Sequence, residues 1–96
     1  MAKTNEELLV NAATTIALRA AREWMDARGV KIPEGGWPDF ADCLRANLKI
    51  RLPEALRDAR EAMECGMTQV AETTFAASIA IAGIDAAKEV AVPAGL

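Results

Sequence analysis

The sequence predicts an all-α fold, a small bundle of three to four helices forming one domain over residues 1–96. Three observations predict it. Roughly a fifth of the residues are alanine, far above ordinary usage and the strongest of the helix formers. Apolar residues recur at intervals of three and four along most of the chain. Val, Ile and Thr are scattered, and no segment alternates apolar and polar residues as a half-buried strand would, so no sheet is expected.

The first helix is expected at about 5–28. Thr4-Asn5-Glu6-Glu7 has the Thr-x-x-Glu form in which the two side chains satisfy each other's free backbone N–H groups at a helix start. Leu9, Ala13, Ile16, Ala20, Trp24 and Ala27 then share one face. Gly29 is the natural stop, because glycine takes the left-handed conformation after a last turn without a Cβ clash.

Val30 to Trp37 reads as a connector, with Ile32 held extended by Pro33 and a turn at Gly35-Gly36. A second helix is expected at 38–52. Pro38 and Asp39 suit its first turn, and Phe40, Cys43, Leu44, Asn47, Leu48 and Leu52 form its stripe. Pro53 lacks the N–H that would continue the ladder, so this helix should end or bend sharply there, with a third at 53–65. Leu56, Ala59 and Met63 face the core of that third helix, while Arg57 with Glu61 and Arg60 with Glu64 are spaced to pair. A break at Gly66 separates it from a last helix at 67–91, and 92–96 is a tail with nothing to hold it.

Composition narrows the function classes. The chain has no histidine and no tyrosine, so the usual general base near neutral pH, the partner of Ser or Cys nucleophiles, and the commonest metal ligand are missing. Cys43 and Cys65 form no CxxC pair, and there is no GxGxxG and no P-loop. No enzyme, no cofactor and no metal site is expected. A net charge of −3 and a pI near 4.9 disfavour general attraction to polyanions. The polar, charged start of the chain lacks the apolar core of a secretory signal, which makes a reduced cytoplasmic protein the simplest expectation.

Four features bear on function. Trp37 follows two glycines on the longest connector; it is placed either to anchor a partner or to pack on Pro38 and Phe40. With it, Glu34, Arg45, Lys49, Arg51 and Arg57 are the candidate partner-binding residues. The cations among them also complement the end of the second helix, and the carboxylates that soon follow disfavour direct nucleic-acid binding. The uncharged run Thr73 to Ile84 belongs to a helix with small residues four apart; Ala76 with Ala80 and Gly83 with Ala87 are the candidates for self-association. Glu72, Gln69 and Asp85 bracket a stretch too short to span a membrane, so no membrane role is expected. The two cysteines lie on or beside apolar faces and read as small hydrophobes.

Small, acidic, all-helical chains without an active site resemble, in size and character, accessory proteins of phages and other mobile elements, including inhibitors of host defence complexes such as CRISPR effectors. The leading expectation is a non-catalytic protein that docks on another protein or nucleoprotein complex. The alternatives are a homo-oligomeric assembly protein, dimeric or helix-swapped through the last helix, and a weak nucleic-acid binder.

Overall fold

The computed structural model describes residues 4–95, the side chain of Asn5 excepted. The fold is all-α with three helices: α1 (Asn5–Arg28), α2 (Trp37–Glu64) and α3 (Thr68–Val90). Two short strands, β1 (Val30–Lys31) and β2 (Val92–Pro93), accompany them.

The capping box at the start of α1 is present. The Glu7 N–H donates to Thr4 Oγ1, and the Thr4 N–H to Glu7 Oε2, each at 3.2 Å. Gly29 closes the helix in the left-handed region. α2 begins at Trp37, one residue earlier than expected, so Trp37 belongs to the first helical turn rather than to the connector.

Pro53 corrects the sequence reading. α2 runs through it without a break, and the expected second and third helices are one element of 28 residues. The carbonyl of Lys49 loses its partner there, but Lys49 and Pro53 are both exposed, so the position is open to water. The expected break at Gly66 is present, and its φ of 76° reverses the chain before α3. The expected pairs of Arg57 with Glu61 and Arg60 with Glu64 are also replaced. Arg57 lies 3.7 Å from Glu54 and 3.9 Å from Asp58, while Arg60 reaches across to Glu6 on α1 at 2.7 Å.

α3 is the centre of the molecule. Ala71, Phe75, Ile79, Ala82, Gly83, Ala86 and Ala87 are buried on it, and both other helices pack against it while barely touching each other. Taken whole, α3 is long and apolar enough by length and composition to cross a membrane, which its charge-free run alone is not. Here α1 and α2 both pack against it, and 39% of its apolar window is buried. On α1 the buried row is Ala13, Ala17, Ala21 and Met25, shifted from the expected stripe, of which Ile16, Ala20 and Trp24 are half-buried and Ala27 exposed. The shift follows from how close the helices come. A Cβ built on Gly83 would stand 1.9 Å from the Ala17 carbonyl oxygen, so only the smallest side chains fit along this seam. The larger Ile16 and Trp24 are displaced to its flanks.

Two features at one end were not expected. Val30 and Lys31 pair antiparallel with Pro93 and Val92, forming a two-stranded sheet, and the Ala94 N–H donates to the Gly29 carbonyl at 2.8 Å. The segment read as a free tail is therefore held as far as the described residues go; Leu96 lies outside them. A pairing of two residues per strand is too short to leave a periodic signature in the sequence. Trp24 closes the same end, with the Arg28 guanidinium 5.1 Å and the Lys88 ammonium 6.0 Å from its ring centre.

Candidate interaction groove

Because α3 holds α1 and α2 apart, an open groove of about 370 Å³ runs between those two helices. α1 contributes Thr14 and Leu18 to it. α2 contributes Trp37, Phe40, Ala41, Leu44, Arg45 and Leu48, positions three and four apart that bring one face of the helix to the groove. Phe40 and Leu44 are buried and form the floor, whereas Trp37 is 58% and Leu18 41% exposed. The Trp37 ring meets Phe40 edge-on, with centroids 5.7 Å apart at 86°. Trp37 thus packs on Phe40, as one of its two readings has it, while leaving more than half of its surface to solvent.

Two other depressions have poorer walls. One of about 440 Å³ between α1 and α3 is lined largely by alanines, with Ala12, Ala20, Ala76, Ala77 and Ala80 offering little area each. The other, of about 600 Å³, is formed by the first turns of α1 alone.

The candidate residues from the sequence are only partly brought together. Trp37 and Arg45 line the same groove, Arg45 paired with Asp42 on its own helix. Lys49, one turn further, and Glu34, on the connector, are exposed. Arg51 turns to α3 and meets Asp85 at 3.2 Å, and Arg57 is taken up by Glu54 and Asp58. The expected self-association row is divided: Gly83 and Ala87 are buried within the chain, and Ala76 and Ala80 are half-buried. Leu18 and Thr14 were not singled out from the sequence. Leu18 did carry a signal, as a large apolar residue of the first helix lying off its predicted stripe.

Among the described residues no polar or charged side chain is buried, and no three Cys, Asp or Glu converge as a metal site would require. The Cys43 thiol is held above its ordinary pKa, first by interaction with the Glu89 carboxylate, then by burial and by the negative charges of Glu89, Asp39 and Asp42. A thiol so placed is a poor nucleophile.

No family model matches the chain, and neither the curated proteins nor the solved structures include a match.

Proposed function

We propose that this is a non-catalytic protein-binding domain that docks on a larger protein or nucleoprotein assembly, as inhibitors and accessory proteins of mobile elements do, through the groove between α1 and α2. The observation that carries this reading is the exposure of Trp37 and Leu18 on opposite walls above a floor of Phe40 and Leu44. A folded chain gains nothing from leaving a tryptophan in water. Covering these two side chains would remove roughly 200 Å² of apolar surface, about 5 kcal/mol before the cost of association is subtracted. Tryptophans so placed supply a large share of the binding energy in many interfaces.

The test is affinity capture of the tagged chain from its native cell, compared with Trp37→Ala and Leu18→Asp. A stoichiometric partner lost in both variants, while helicity is kept, supports the reading. A partner retained by both refutes it.

A second reading, self-assembly, rests on the outer edge of α3, where Thr73, Thr74, Ala77 and Ile81 are exposed and uncharged. It requires a dimer in light scattering that Ala77→Glu dissolves.

A further inference from the structure

We infer that the occupant of the groove between α1 and α2 is an acidic amphipathic helix of a partner protein, an inference that rests on the groove being the docking site. The walls of the groove are two antiparallel helices; Trp37 and Leu48 mark its ends, eleven residues apart on α2. That is about 16 Å, the length of three turns of an occupant helix. An α-helix satisfies its own backbone while presenting an apolar row at i, i+3, i+4 and i+7, which suits walls that offer apolar side chains and few backbone partners.

The charge at the rim selects the sign of the occupant. Arg45 edges the groove on α2, and Lys49 stands one turn further along the same helix. On α1, Leu18 is shared with an adjoining depression that Arg19 and Arg22 line. Neither lining contains a carboxylate; along α2, Asp39 and Asp42 each adjoin a lining residue, and Asp42 is paired with Arg45. Among the described residues Arg19, Arg22 and Lys49 form no ion pair. The cations therefore gather beside the groove of a chain whose net charge is −3, and Arg19, Arg22 and Lys49 are left without partners within it.

A second copy of this chain does not supply such a helix. Its other exposed large apolar residues are dispersed: Leu8 and Val10 at the start of α1, Ile50 alone on the outside of α2, Met67 at the α2–α3 turn, Val92 in β2, and Val70 and Ile81 three turns apart on α3, where the smaller Thr73, Thr74 and Ala77 between them offer little apolar area. None of these forms an apolar row of three turns flanked by carboxylates.

The probes are two fluorescein-labelled, end-capped helical peptides with the same leucine row, one carrying Glu and the other Lys at the remaining charged positions. Binding to the full chain is read by fluorescence anisotropy. The Glu peptide is expected to bind about tenfold more tightly than the Lys peptide, a difference that shrinks as salt rises. The double variant Arg22→Glu with Arg45→Glu should reverse the preference, Leu18→Asp should abolish binding of both, and Ile50→Asp should change neither.

Equal binding of the two peptides, both lost with Leu18→Asp, would overturn the acidic occupant and leave the groove as a docking site. Binding of neither peptide, or binding that Leu18→Asp leaves intact, would overturn both. A concentration-dependent dimer dissolved by Leu18→Asp would give the groove to a second copy and overturn the inference.

Discussion

Replacing Gly83 with alanine tests how α1 is seated. The added Cβ would stand 1.9 Å from the Ala17 oxygen, 2.6 Å from its carbonyl carbon and 2.9 Å from its Cα, all backbone atoms that no rotamer change can move. Reaching ordinary contact requires α1 to retreat by about 1.5 Å, and a gap of that size forfeits at least half of the dispersion attraction along a seam. The seam holds Ala13, Ala17 and Ala21, all nearly inaccessible to solvent. Overpacking of this kind costs about 3 kcal/mol, against which alanine recovers about 1 kcal/mol of helix propensity over glycine. The net loss of about 2 kcal/mol lowers the midpoint of thermal unfolding by about 8–16 °C in a domain of this size. Circular dichroism melts of Gly83→Ala beside the wild type measure it, with Ala77→Ser on the exposed edge of α3 as a control of small effect. Because α1 carries Leu18, its retreat also widens the groove, so affinity for a docked helix should fall even where the variant is folded. A Gly83→Ala protein that melts at or above the wild-type temperature would refute this packing of α1 on α3.

Three further outcomes follow from the same geometry. Pro53→Ala restores an N–H for the Lys49 carbonyl in an exposed, already continuous stretch of helix, and should stabilise the chain by about 1–3 kcal/mol in a denaturant titration; destabilisation would mean that the proline's local shape is needed to seat Ala55 and Ala59. Exposed Cys65 should be alkylated by iodoacetamide well before Cys43; Glu89→Gln, by removing the first cause of the raised thiol pKa, should speed labelling at Cys43, and peptide mapping showing no change would contradict the assigned contact. The sign for stability agrees: the folded chain keeps the Cys43 proton where the unfolded chain has already lost it, so this contribution declines as pH rises through the unfolded thiol's pKa. Arg51→Ala should cost at most about 1 kcal/mol, since both partners of its bridge to Asp85 are about a third exposed, and a larger loss in urea unfolding would show a deeper role.

Much of this fold is legible in the sequence where a local device carries the information. The capping box at Thr4, the stops at Gly29 and Gly66, and the stripe through Phe40, Leu44 and Leu48 depend on neighbours within a turn or two. Readings that depended on tertiary context fared differently. Pro53 is tolerated because Lys49 faces water, and the rotation of α1 is set by Gly83, far away in the chain. Arg60 found Glu6 across the bundle rather than Glu64 one turn away. At the groove, Trp37 and Arg45 could be nominated from residue type, whereas Leu18 became a member only once α3 had set the spacing of the walls.

The near absence of contact between α1 and α2 also fixes an order of assembly. Those two helices leave the ribosome first, and each carries an apolar face that the other does not cover. Ala13, Ala17 and Ala21 have no seat until Gly83 is made, and Phe75 and Ile79 are synthesised after both of the helices they join. The nascent chain thus carries two amphipathic segments that lack a common partner, and the core can close only when the last quarter of the sequence is free to enter between them.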